Sequence, residues 1–244
     1  MINLNIDIRE QKENECLPAC LRAVFSYFKV DVSEEEIIET ISKESFKFYD
    51  WDFNAGKMAI EKGLKSEVYT NVSQIFDPSW VNLSSNAIIG KIEEELKFFK
   101  FRNENFEKDP DLMTFMCPNK EVAERLVKEA EAIIEFLKLG GVVNFDTISK
   151  ELIEQKLKAN VPVIISHNPT LLHRMKRFSN GEFNDIEGSS WGHAAIISGE
   201  DNGIFLISDP DGIFYEKKLV YEANKDLVLE SILRYNGQLL VISR

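Results

Sequence analysis

From Ile2 to Ile8 apolar side chains stand at every second position (Ile2, Leu4, Ile6 and Ile8), with Asn3, Asn5 and Asp7 between them. That period of two predicts an extended strand with one buried face, available to join the edge of a sheet formed later in the chain. Near Cys16 the period changes. Leu17, Leu21, Val24 and Phe28 recur at i, i+4, i+7 and i+11, and Cys16, Cys20, Ala23 and Tyr27 form the adjacent stripe, which predicts an amphipathic helix. Pro18 lacks only an N–H that a first turn leaves without an intrahelical partner, so the helix starts near Cys16. Ser33 followed by Glu36 is a capping-box pattern that opens a second helix, running to about Ser42. A third is expected over residues 53–62, stopped by Gly63, and a short strand over residues 66–70. Helices and strands mixed in this order read as the first half of an α+β domain.

The texture differs over residues 71–141. Ile88, Ile92, Leu96 and Phe99 mark one amphipathic helix, and Val122, Leu126, Ala130, Ile133 and Leu137 mark another that ends at Gly140-Gly141. Between them residues 102–119 are polar, carry Pro110 and Pro118, and read as a long loop. The whole segment is expected to be a helical insertion or subdomain in one domain covering residues 1–244. Beyond it, an amphipathic helix over residues 148–159 leads into a β-branched buried strand over residues 161–166. A polar stretch over residues 174–190 reads as a mobile loop beside a site. Strands are expected over residues 193–200, 203–209, 213–218 and 239–243, with a helix over residues 225–234.

The composition, 44% hydrophobic and 29% charged over 244 residues, is that of a folding globular chain. A net charge of −12, from 41 acidic and 29 basic residues, repels nucleic acid and anionic lipid, so neither is expected as a partner. The first ten residues have no basic, apolar signal pattern and no run of about 18 apolar residues occurs, so the protein is expected in the cytoplasm. Three cysteines, Cys16, Cys20 and Cys117, do not make a disulfide framework. They also lack Cys or His partners at zinc-ligand spacing, so neither a metal nor a cofactor is expected.

One reading absorbs these cysteines. Cys16 opens a helix, where unpaired N–H groups and the partial positive charge of the terminus favour a thiolate. Far along the chain, Gly192-His193 precedes a β-branched strand and Asp209-Pro210 ends the next one. If Asp201-Asn202-Gly203 is a three-residue loop, Ala195 pairs with Asp209, and His193 and Asp209 share a face as diagonal neighbours. Asp209 would then hold the imidazole, and His193 would act as base toward Cys16. Gly192 would let a substrate backbone approach. Gln11 would offer an N–H to a developing oxyanion. Cys20, one turn further along, is the fallback nucleophile, and Cys117 is incidental. Trp191 lines a groove or packs in the core. His167 and His173 flank a proline turn and read as surface residues or substrate contacts.

The motif set Glu15-Cys16-Leu17-Pro18-Ala19-Cys20-Leu21, Gly192-His193 and Asp209-Pro210 resembles the bacteriocin-processing, double-glycine-leader cysteine peptidases and their stand-alone relatives, within the papain-like superfamily. The resemblance covers roughly residues 1–70 and 145–244. It departs at Leu17, where the family usually has glycine, and at Gln11, five residues before the cysteine instead of six. It implies an α+β papain-like fold, with the helix that carries the nucleophile packed on a C-terminal antiparallel sheet. It also implies Cys16, His193 and Asp209 as triad and Gln11 at the oxyanion hole. The expected activity is cleavage of a peptide or amide bond through an acyl-enzyme. The same residues would support acyl transfer to an amine, and the same fold could serve a non-catalytic peptide-binding protein.

Overall fold

The computed structural model describes residues 1–12, 15–44, 51–70, 75–105, 119–179, 182–215, 217–235 and 237–244. The strand that opens the chain is short, β1 (Ile2–Asn3), yet Leu4, Ile6 and Ile8 are all buried while Asn3, Asn5 and Asp7 are not, so the alternation continues past the ladder. Helix α1 (Cys16–Tyr27) follows. It buries Leu17, Leu21, Val24 and Phe28, the stripe expected from their spacing. Helix α2 (Glu34–Glu44) is capped by Ser33, whose Oγ accepts the Glu36 N–H at 3.1 Å. Helix α3 (Trp51–Glu61) turns through Gly63, at φ +82°, into β2 (Lys65–Thr70).

Helix α4 (Ser85–Asn105) is longer than its apolar spacing suggested and takes in residues 102–105, which the sequence assigned to a loop. Buried Arg102 anchors that end, with its guanidinium 5.1 Å from the Phe98 ring centre. The rest of the expected loop through 118, with Cys117, lies outside the described residues. Helix α5 (Lys120–Lys138) is capped by Asn119 and packs on α4 and α3. It leads to a strand the sequence reading missed, β3 (Val142–Asn144), which pairs with β2 in parallel. Three residues are too few to show a period.

Helix α6 (Lys150–Lys158), capped by Ser149, precedes β4 (Val163–His167). A single turn, α7 (Pro169–Leu172), follows, with the Asn168 side chain accepting the Leu171 N–H. The stretch expected as an open mobile loop carries its own ladder, β5 (Phe178–Ser179) with β6 (Glu182–Phe183). Phe178 stacks edge-on against both Phe183 and Trp191, at 5.3 and 5.6 Å, and Arg177 donates to the Asp185 carbonyl at 2.7 Å. Strands β7 (His193–Asp201) and β8 (Ile204–Ser208) form the main hairpin. Among the described residues of 213–218 no strand forms. Asp211 instead accepts the Ile213 N–H at 3.0 Å and sets a short 3₁₀ turn over Gly212–Phe214, so Asp-Gly turn chemistry prevails over an apolar pattern. The strand comes later, as β9 (Val220–Asn224), followed by α8 (Lys225–Leu233) and β10 (Gln238–Ser243).

The sheet order is β3-β2-β10-β4-β7-β8-β9, with β1 added to β7 beyond the end of β4. Every pairing except β2 with β3 is antiparallel. Val163, Ile164 and Ile165 of β4 and Ala195, Ile196 and Ile197 of β7 are all buried. Consecutive burial means that both faces are covered. Helix α1 packs on β7, α3 on β2 and β10, and α6 and α8 against β4. The result is an α+β fold with its N-terminal helix packed on a mostly antiparallel sheet. Among the described residues no helix is long and apolar enough to cross a membrane.

Candidate active site

The hairpin sets the register of the site, by a route the sequence did not predict. Its loop has two residues, Asn202 and Gly203, both at positive φ (41° and 87°), so Asp201 pairs with Ile204. A two-residue loop alone would put His193 and Asp209 on opposite faces. The register then slips by one between Ile197 and Gly199, and Ile196 pairs with Ser208. This β-bulge restores the alignment that a three-residue loop would have produced, with Ala195 opposite Asp209 just past the strand end. The bulged Ser198 finds partners for its hydroxyl and its carbonyl. Its Oγ meets Ser208 Oγ at 2.8 Å, and its carbonyl accepts the Leu4 N–H at 2.8 Å.

At the mouth of the hairpin, His193 Nε2 lies 2.7 Å from Asp209 Oδ1, with both side chains buried. An ionised carboxylate only accepts, so Nε2 carries the proton and Nδ1 is left for another partner. The Cys16 side chain lies within hydrogen-bonding reach of this ring. The three residues are thus joined in one chain. Burial works against a charged His193, but Asp209 and then Cys16 outweigh it and push its pKa up to about 10. Burial likewise works to raise Asp209, yet the His193 ring and the Asp211 N–H hold its carboxyl below the usual range.

Asp209 has further partners that the sequence reading did not identify. The Asp211 N–H donates to Oδ1 at 2.8 Å and the Tyr221 hydroxyl to Oδ2 at 2.9 Å. Since the phenol proton goes to the carboxylate, the Tyr221 oxygen accepts from His173 Nε2, 3.2 Å away. Tyr215 stacks on Tyr221 with ring centres 4.7 Å apart. His173 is therefore half-buried and tied to Tyr221. His167, expected as a surface residue or substrate contact, is wholly buried and pairs across the ladder with His193, ring centres 5.6 Å apart. Burial and the neighbouring His193 charge depress its pKa to about 3. Tyr221 gave no local signal because the strand that carries it was not recognised.

The remaining candidates divide. Gln11 is brought to the Asp209 loop: its N–H donates to the Pro210 carbonyl at 2.9 Å, and its side-chain Nε2 reaches only Asp211 Oδ2, at 3.5 Å. Cys20 is wholly buried with its thiol toward the Ala194 carbonyl, and burial raises its pKa well above the ordinary value. Cys16 is half-buried at the first helical position, where no described side chain caps the terminus. Gly192 does not leave room for a substrate backbone. A Cβ there would lie 1.9 Å from the Tyr235 hydroxyl, so the glycine makes way for that phenol.

No family model matches this sequence and no curated protein sequence does. A crystal structure of a Bacillus anthracis protein, assigned by inference as a C39-like peptidase, is similar at a TM-score of 0.41 and 14% identity, covering 100% of this chain and 96% of the other.

Proposed function

We propose that this chain is a thiol peptidase on a papain-like fold, one domain into which the helical segment 71–141 is inserted. The observation that carries the reading is the chain from Cys16 through His193 to Asp209, in which the thiol is within hydrogen-bonding reach of a ring whose Nε2 is held by the carboxylate. His193 takes the Cys16 proton on Nδ1, and the sulfur attacks the carbonyl carbon of a peptide bond. Negative charge develops on the carbonyl oxygen. The Cys16 N–H, without an intrahelical acceptor at the first helical position, stabilises it, with the Gln11 side chain as second donor. Collapse of the intermediate expels the amine, which takes the proton back from His193. Water then replaces the amine. His193 accepts its proton, the hydroxide attacks the thioester, and Cys16 is released with a carboxylic acid. Asp209 keeps the ring in the tautomer that both half-reactions need.

The test is incubation with a peptide library, with mass spectrometry of both product and protein. The reading expects cleaved peptide in water alone and an acyl adduct on Cys16 at early times. Product that forms only with an added amine would make the protein an acyltransferase. Peptide binding without product or adduct would make it a binding protein.

A further inference from the structure

His167 takes no part in this mechanism, and its position is costly. Neither ring nitrogen has a hydrogen-bond partner among the described residues, and a buried polar group left unmatched forfeits the hydrogen bonds that water would give it. Ile165 and Val163, two and four residues earlier on the same face of β4, are both buried and apolar. An apolar residue at position 167 would continue that pattern at lower cost. What the imidazole adds is a lone pair beside two other donors. One ligand atom each from His167, His193 and Asp209 lies within 4.8 Å of the others, and all three residues are buried.

From this convergence we propose that His167, His193 and Asp209 form a binding site for a divalent transition metal of the zinc class, and that its occupation turns the thiol chemistry off. Two imidazoles and a carboxylate are a donor set that such ions accept. Tetrahedral bonds of about 2.0–2.1 Å set donor atoms roughly 3.3 Å apart. His193 Nε2 and Asp209 Oδ1, now 2.7 Å apart, need to open by about half an ångström, and the His167 ring swings inward. The proton on His193 Nε2 passes through solvent to Nδ1 as the metal takes its place, and nothing is oxidised; the protonated Nδ1 then has no lone pair for the Cys16 proton. Cys16 is not one of the three clustered residues, so it is not required as a ligand. With Nε2 bound to metal, His193 is no longer held by Asp209 and cannot cycle a proton. This inhibitory half rests on the proposed peptidase reading; the binding half does not.

The experiment uses untagged protein titrated with Zn²⁺ against a chromophoric chelator, with Co²⁺ absorption as a second readout. Wild type and Cys16→Ser should each bind one ion per chain, and His167→Gln should lose roughly tenfold or more in affinity. No stoichiometric binding in wild type, or unchanged binding in His167→Gln, overturns the site. If His167→Gln does not fold, X-ray absorption of the zinc-loaded wild type decides. Two imidazoles in the metal's shell support the site and fewer refute it. Zinc should also slow alkylation of Cys16 in the wild type; bound zinc with unchanged alkylation would overturn the switch and leave the site standing. Because binding is read directly, failure to find any peptidase substrate does not count against the metal.

Discussion

The first and second turns of α1 carry the same side chain and differ in chemistry. Cys16 and Cys20 lie on one stripe of the helix, four residues apart. Cys20 is sealed under the sheet, with only a carbonyl 3.5 Å from its sulfur, and burial opposes its ionisation. Cys16 is half-buried at the helix start, beside an imidazole that Asp209 holds from behind. A thiol becomes a candidate nucleophile through its neighbours and its access, and one turn of helix is enough to exchange both.

The comparison breaks most sharply on replacement of the two sulfurs. Cys16→Ser should cut peptide hydrolysis roughly 10⁴-fold or more, measured as kcat/KM on a substrate found in the library, since members of a catalytic unit fail together. Cys20→Ala should leave the rate within about threefold and lower stability by about 1 kcal/mol, read from denaturant unfolding, because it removes only a small buried group. A large loss of activity from Cys20→Ala with Cys16→Ser active would exchange the two roles.

Next in size is the support behind the imidazole. Asp209→Ala leaves Nε2 without its acceptor and should slow turnover roughly a hundredfold. Tyr221→Phe removes one donor from Asp209 and should cost about tenfold, in kcat more than in KM. Tyr221 acts through Asp209, so it is a positioning residue. Its hydroxyl favours the ionised carboxylate, and without it the acid limb of the pH profile should move to higher pH. A merely structural tyrosine would leave that limb where it is.

The smallest effect concerns two buried carboxylates that repeat the contrast between the cysteines. Asp209 is held down by His193. Asp52 on α3, bonded only weakly to Ser166 at 3.5 Å, is pushed up to about 6 by burial. An acid whose folded pKa lies above its unfolded value binds its proton more tightly when folded. The protein therefore loses stability as pH rises from about 4 to about 6, and the penalty stays constant above that. Asp52→Asn should remove it, a gain on the order of 3 kcal/mol at pH 7 that vanishes near pH 4 in denaturant titrations. Equal stability of the two proteins across that range would show that Asp52 is better paired than its geometry indicates.

The helices of nine or more residues were legible in the sequence because each buries a stripe with a regular period, and Ser33 marks the start of one; the single turn α7 was not. Strands of five or more residues were legible for the same reason, apart from β9. The short pieces were not: β3 has three residues, β5 and β6 two each, and Asp211 redirects an apolar run into a turn. Cys16, His193 and Asp209 were visible as an ordered set. Their alignment was anticipated for a reason the structure corrects, because the two-residue turn and the bulge at Ser198 together reproduce the register of a three-residue loop. His167, His173 and Tyr221 were not legible as partners, since their meeting depends on strand order across the sheet and nothing within a window of local sequence encodes it.

The most direct test of the account is the rate at which iodoacetamide labels each cysteine near neutral pH, followed by peptide mass mapping in wild type and in His193→Ala. The account predicts that Cys16 reacts roughly tenfold or more faster than Cys20, and that His193→Ala removes most of that advantage. Equal slow labelling of both cysteines, or a Cys16 rate that does not change when the imidazole is gone, would contradict it.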